Sequence, residues 1–494
     1  LAPDHDGVYE AYYFGPSPIQ TKAESERGSY YPQSEDCLHL NIWVNSANHS
    51  KNKPVIVFIH GGAFGWGATS DPIYNAHNLV QKFDDIIFVS IEYRLGVMGF
   101  LDFSDVKGGE DFQYSGNLGL LDQVCALKWI NKNISAFGGN PENVTIMGES
   151  AGGQSVSLLP LIDGTNGLFQ KVIAESGCIG LTTSKEDSKD MTKRLLKASG
   201  CTTMDELMAL SEDQIKAFNE NLNDYANYPE RDGIVLPKEP FEAYRNGKAS
   251  HVDMLIGTNK DEVRYWLKDL ADLIPGLSGG TVYHLGMPIM FENDVKKMEP
   301  EDRDRVNTFI ESQNGEKIWK LTEFYNEMLF RIPSIKQVEY LTKNGSTAYM
   351  YYWTEPSSIK NMGACHAVEL AYVFDNTQDG IYTGGNVDEK LADTAQTMWI
   401  NFARSGNPST DKYKWKAYNT DTRPTMILGK DIHMENNLKD DQRKMLSPLL
   451  KYRLDGIYSR MSFNVPIVYK YGAFVAGVMS VTAVLIYLFA KKLK

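Results

Sequence analysis

Two glycine-flanked stretches of the chain carry residues suited to acyl transfer. In Gly148-Glu149-Ser150-Ala151-Gly152 a serine stands directly after the apolar, β-branched run Val144-Thr145-Ile146-Met147 and before a small-residue helix start. Strand, sharp turn and helix in that order make a nucleophile elbow, which lifts the serine hydroxyl above a sheet. Gly148 and Gly152 lack Cβ atoms, so the turn can tighten. The next backbone N–H, that of Ala151, then stands at a helix N-terminus and faces any oxyanion formed at the serine. The pentapeptide alone recurs by chance in ordinary turns; its place between strand and helix gives it weight. The second stretch, His60-Gly61-Gly62-Ala63-Phe64, follows another buried-strand pattern, Pro54–Ile59. A loop of small residues exposes successive N–H groups, which a tetrahedral oxyanion requires. A plain turn would look similar, but two such pieces in this chain order favour the chemical reading. His60 itself reads as structural.

The elements that must position these groups follow from periodicity. Continuous apolar runs at 54–59, 86–91, 144–147, 171–174, 254–256 and 348–353 read as buried strands, as the central strands of a parallel sheet should. Between them, 185–225, 286–345 and 385–405 have amphipathic helical patterning, while 268–300 reads as an irregular insertion. Strands alternating with helices predict an α/β fold, a mostly parallel central sheet covered by helices on both faces. At 494 residues and 42% apolar content the chain can bury a large core. Its formal charge of −13 disfavours nucleic acid as a partner. The five cysteines are odd in number and lack metal-ligand spacing, so at least one thiol is unpaired and no metal site is expected.

The far end differs in character. Residues 471–490 form a run of 20 uncharged residues, preceded by Lys470 and followed by Lys491, Lys492 and Lys494. A helix of that length spans about 30 Å, a bilayer core. The reading is a transmembrane helix at 471–490, a juxtamembrane linker at 456–470, a basic tail at 491–494, and a catalytic domain over 1–455 on the non-cytoplasmic side. Leu1 is not a methionine and no signal segment opens the chain, which suits a processed or partial sequence.

Longer motifs extend the reading. Ser34-Glu-Asp-Cys-Leu-His-Leu-Asn-Ile-Trp43, Tyr93-Arg-Leu-Gly96, Gly116-Asn-Leu-Gly-Leu-Leu-Asp-Gln123 and Phe137-Gly-Gly-Asn-Pro-Glu-Asn-Val-Thr145, with the Ser150 elbow, resemble the type-B carboxylesterase and cholinesterase-like family. The resemblance runs from about Gly7 to about Pro408. It implies the α/β-hydrolase fold and a carboxylesterase acting on small-molecule esters without a cofactor. It implies an acid at Glu262 in Gly257-Thr-Asn-Lys-Asp-Glu262, with Asp261 as the neighbouring alternative, and a histidine at His366 ahead of Glu369-Leu-Ala-Tyr-Val-Phe374. The order Ser150, Glu262, His366 is that of α/β-hydrolases. Oxyanion donors fall on Gly62, Ala63 and Ala151. Gly61, Glu149 and Ser176 are expected to support the reacting groups, and Arg94 with Asp122 to form a structural ion pair.

Departures from the pattern narrow the reading. Pro18 stands where the family's first disulfide would place a cysteine, so Cys37 is expected unpaired, and Cys201 lacks its usual partner. Arg27 occupies the region of the tryptophan with which cholinesterases bind a quaternary ammonium, so neutral esters are expected instead. The small sheet that family members carry ahead of Gly7 is nearly all absent. A non-catalytic, neuroligin-like adhesion protein on the same fold, and a lipase or thioesterase, are the alternatives; the adhesion branch commonly loses the serine that this chain keeps.

Overall fold

The computed structural model describes residues 7–8, 10–20, 32–222, 228–266, 287–288 and 291–452. Nine strands form a single sheet: β1 (Leu40–Val44), β2 (Lys53–Ile59), β3 (Ile87–Ile91), β4 (Gly139–Glu149), β5 (Lys171–Glu175), β6 (Asp253–Asn259), β7 (Ala348–Trp353), β8 (Thr425–Leu428) and β9 (His433–Glu435). Their spatial order is β1-β3-β2-β4-β5-β6-β7-β8-β9. All neighbours from β3 to β8 run parallel, and only the edge strands β1 and β9 pair antiparallel.

Each of the six expected strands lies within or overlaps one of β2 to β7. Their continuous apolar character has a simple cause: both faces are covered. Along β2, Val55, Val57 and Ile59 enter one core and Ile56 and Phe58 the other. Helix α1 (Leu118–Asn133) packs Leu120, Val124, Leu127 and Ile130 into the first core. Helix α2 (Ala151–Leu158) continues from the Ser150 turn and packs against β4 and β5, and α3 (Lys185–Ser199) packs Met191 and Leu195 with Val97 and Leu101 in a smaller cluster. Helix α4 (Lys317–Tyr325), a π-helical segment Asn326–Arg331 and α5 (Ile332–Lys343) form one continuous run. Helix α6 (Glu389–Ser405) covers the second core with Leu391, Met398, Trp399 and Phe402, and α7 (Asp440–Leu446) follows β9.

The sequence reading of 185–225 as helical resolves into three helices, because Gly200 ends α3 in the left-handed conformation (φ 74°). Most of the irregular insertion expected at 268–300 lies outside the described residues, as does Arg27. All five cysteines are free, in line with the expectation for Cys37 and Cys201. Arg94 and Asp122 form the expected ion pair, with Nε and Nη2 on the two carboxylate oxygens at 2.8 and 2.6 Å.

The fold is thus the α/β-hydrolase sheet, and the expected C-terminal transmembrane helix is not among its described elements. No helix among the described residues is long and apolar enough to cross a membrane. The longest single α-helix among them, α6, has 17 residues, about 26 Å at the helical rise, and carries Asp393 and Arg404, while the continuous run through α4 and α5 carries charges throughout, among them Lys320, Glu327, Arg331 and Glu339. Residues 471–490, on which the expectation rested, lie outside the described residues, as do the linker at 456–470 and the basic tail. The membrane location and the membrane partner inferred from that run are withdrawn with the helix. A count of uncharged residues measures composition, and composition alone does not place a helix in a fold.

Candidate active site

Every sequence-derived site residue lies at or beyond the carboxyl end of a parallel strand, where open α/β sheets bind their ligands. Ser150 stands between the end of β4 and the start of α2, as the helix N-cap, with φ 57° and ψ −122°. Its backbone is fixed from both sides: its N–H donates to Glu175 O (2.9 Å), and its carbonyl accepts from Gln154 N–H (2.8 Å). A Cβ on Gly152 would lie 1.9 Å from Ile59 O, and one on Gly148 would lie 2.4 Å from the Gly152 carbonyl carbon. The elbow therefore exists only because α2 can touch the end of β2. Gly152→Ala is expected to destabilise the protein by about 3 kcal/mol, since backbone must yield on both sides. A urea midpoint unchanged from wild type at equal m would show that the strand and helix are not so closely apposed.

The His60–Phe64 loop lies against the elbow. A Cβ on Gly61 would meet Glu149 O at 2.9 Å and Ser150 Cβ at 3.1 Å, so only glycine lets the loop approach. Gly62 (φ 108°), Ala63 (φ 52°) and Phe64 (φ 59°) are all left-handed, and Gly62 O accepts from the N–H groups of Gly65 and Trp66. The N–H groups of Gly62, Ala63 and Ala151 donate to no group among the described residues. Among the described residues, five of the eleven non-glycine residues with positive φ, namely Ala63, Phe64, Ser150, Ser176 and Ala367, stand at this one place. Backbone strain of that kind gathers where a precise geometry is required. His60 is buried, stacked on Tyr93 (4.6 Å between centroids) and directed at Glu92, and it takes no part in the cluster.

Glu262 and His366 meet across 104 residues of sequence. Glu262 Oε2 lies 2.6 Å from His366 Nδ1, and Glu262 Oε1 accepts from Asn259 N–H at 2.7 Å. The carboxylate is fully buried. Asp261, the alternative acid, instead accepts from Ala364 N–H (3.0 Å) and pairs with Arg264 (2.9 Å). The other imidazole nitrogen, Nε2, makes no hydrogen bond and lies 3.2 Å from Glu149 Oε1. No hydrogen bond joins it to Ser150 Oγ, a contact that commonly tightens only when substrate is bound. Burial alone would lower the imidazole pKa; the charges of Glu149 and Glu262 oppose it and push the value up to about 9.

Several residues that sequence reasoning did not single out complete the surroundings. Glu369, three residues after His366 across a turn in which Ala367 is left-handed (φ 64°), accepts from Asn259 Nδ2 (2.5 Å), Ser176 Oγ (3.4 Å) and Tyr351 OH (3.4 Å). Glu175 accepts from Trp399 Nε1 (2.5 Å). Burial, and then their mutual repulsion or that of Glu262, holds both carboxyls above the usual range. The imidazole is ringed by Trp266 (5.0 Å), Phe330 (5.2 Å) and Tyr265 (6.1 Å). The short spacing from His366 to Glu369 was the available signal for Glu369. The aromatic rings left none.

A cleft open to solvent has mainly apolar walls, including Ile179, Met328, Leu329 and Pro333. Neither Ser150 nor His366 lines it. Two of its lining residues lie close in sequence to the site: Leu329 precedes Phe330, and Ile179 follows the Ser176 turn. Among the described residues no cluster of His, Cys, Asp and Glu could hold a metal ion.

Comparison with known proteins gives this arrangement its kin. The chain is 37% identical over 437 residues to the para-nitrobenzyl esterase of Bacillus subtilis, covering 84% of this chain and 83% of that one. It is 32% identical over 402 residues to the acylcarnitine hydrolase of Mus musculus, covering 78% and 69%. The crystal structure of a Geobacillus stearothermophilus carboxylesterase superposes with a TM-score of 0.79 at 31% identity, over 89% of this chain and 90% of that one. The profile of the Carboxylesterase family matches residues 2–446, and the chain belongs to that family.

Proposed function

We propose that this carboxylic-ester hydrolase acts on neutral esters through Ser150, His366 and Glu262 by way of an acyl-enzyme. The observation that carries the reading is the buried 2.6 Å contact between Glu262 Oε2 and His366 Nδ1 beside a serine on a strained elbow. In the first step Ser150 Oγ attacks the ester carbonyl carbon while its proton passes to His366 Nε2. Glu262 keeps the Nδ1 proton in place and offsets the imidazolium charge. The carbonyl oxygen becomes an oxyanion, held by the N–H groups of Gly62, Ala63 and Ala151; each such donor contributes about 3 kcal/mol. Collapse expels the alkoxide, which takes the proton from Nε2 and leaves as alcohol. Water then repeats the sequence on the acyl-enzyme and releases the acid. Gly61 and Ser176 shape the backbone around these groups, and Glu149 faces Nε2.

The preference for uncharged substrates rests on what surrounds the imidazole. Its charged neighbours are carboxylates, which repel an anionic ester, and the remaining walls are aromatic or aliphatic. Diethyl p-nitrophenyl phosphate tests the nucleophile directly. Wild type is expected to release p-nitrophenolate stoichiometrically and to carry diethyl phosphate on the peptide holding Ser150. A label on another residue, or equal labelling of Ser150→Ala, would remove the serine from its assigned role.

A further inference from the structure

The turn that presents Glu262 is held from outside by one side chain. Asn326 lies in the π-helical segment between α4 and α5 and is buried. Its Oδ1 accepts from Val263 N–H at 2.9 Å, and its Nδ2 donates to Lys260 O at 3.2 Å. These two backbone groups flank Asp261 and Glu262, so one amide bridges the turn that carries the acid. The same Nδ2 reaches Glu323 Oε2 at 3.3 Å, and Glu323 Oε1 accepts from Lys439 Nζ at 2.5 Å. With a carboxylate and a carbonyl on one side and an N–H on the other, the amide can point only one way. Lys439 also lies 5.2 Å from the centroid of the Tyr352 ring, and the neighbouring Trp353 O accepts from Lys260 N–H at 2.9 Å. The clamp thus closes back on β7. A π turn adds one residue to a helical turn, a feature often found at functional sites.

From these contacts we infer that Asn326 is a positioning residue, which holds the 260–263 turn so that Glu262 Oε2 meets His366 Nδ1. The inference rests on the proposed Ser150–His366–Glu262 mechanism and extends it to a residue that touches neither substrate nor imidazole. Without the amide, the buried Val263 N–H loses its acceptor and the turn relaxes to find another. Displacements of about 1 Å at a reacting group can lower turnover by about 10²-fold.

The test is steady-state hydrolysis of p-nitrophenyl butyrate by the whole chain, as wild type, Asn326→Leu and Asn326→Ser, with sites counted by phosphate-ester titration. Per titrated site, kcat is expected to fall about ten- to hundredfold with KM within about twofold of wild type. The acid limb of kcat/KM is expected to move to lower pH, because Glu262 no longer supports the imidazolium, leaving Glu149, Glu369 and the three rings to face it. A loss of folded protein would lower the titrated sites and leave that limb in place. The serine hydroxyl is too short to span both backbone groups, so Asn326→Ser carries the test should Asn326→Leu not fold. An active wild type whose variants keep kcat per site and the position of the acid limb overturns the clamp alone. A wild type no faster than Ser150→Ala overturns the clamp together with the mechanism beneath it.

Discussion

Ser150→Ala is expected to lower kcat/KM for short-chain p-nitrophenyl esters by about five to six orders of magnitude, with the unfolding midpoint close to that of wild type. The size follows from the way the reacting groups depend on one another: without the hydroxyl, the imidazole and its carboxylate have no proton to move, and deletion of one member removes nearly the whole effect of the set. What remains is stabilisation by the oxyanion donors acting on adventitious attack by water. The fold has little reason to respond. The elbow is fixed by backbone bonds, from Ser150 N–H to Glu175 O and from Gln154 N–H to Ser150 O, and by the glycine contacts with Ile59. Alanine keeps all of these, and at φ 57° it is strained in the same way as serine. Stability is therefore expected to change by less than about 1 kcal/mol. Measured turnover is the criterion: a variant retaining even a hundredth of wild-type kcat/KM would mean that another residue is the nucleophile.

The elbow and the glycine loop proposed to hold the oxyanion were legible because each is local. Five adjacent residues set the turn, the strand before it and the helix after it, and glycine at fixed offsets has a steric meaning that neighbours cannot disguise. The acid was not legible in that way. Asp261 and Glu262 are adjacent in one turn, and only the path of the chain through 364–366 decides which carboxylate meets the imidazole. Among nine histidines His366 was selected by family resemblance, since no local pattern marks it. Strands β1, β8 and β9, at or next to the sheet edges, are short, three to five residues, and gave no continuous apolar run that was read as a strand. Asn326 had no sequence signal at all: its partner at Val263 is 63 residues away and is a backbone group, so no residue type at that end records the contact. The uncharged run at 471–490 shows the opposite failure, a strong local signal that finds no helix of spanning length among the described residues.

Replacement of one oxygen of Glu262 provides the sharpest test of the histidine's partner. Glu262→Gln keeps the shape of the side chain, yet no orientation of the new amide suits its surroundings. With its oxygen toward Asn259 N–H, its NH₂ faces His366 Nδ1, which must then accept; the imidazole proton moves to Nε2, the atom that should receive the serine proton. Turned over, the amide satisfies Nδ1–H but sets two donors against each other at Asn259, in a site with no access to water. Turnover is expected to fall by about 10⁴-fold in either case, with KM little changed. The pH profile supplies an independent signature. In the proposed mechanism the active form of His366 is the neutral base, so wild-type kcat/KM is expected to rise with pH through the raised value of about 9. Loss of one supporting carboxylate lowers that value, although Glu149 at 3.2 Å from Nε2 keeps it from falling the whole way to that of a free imidazole. The acid limb of the variant therefore lies at lower pH than that of wild type, and its deficit is smaller at pH 6 than at pH 9. A Glu262→Gln enzyme within tenfold of wild type, with its acid limb unmoved, would assign the imidazole's support to Glu149 instead.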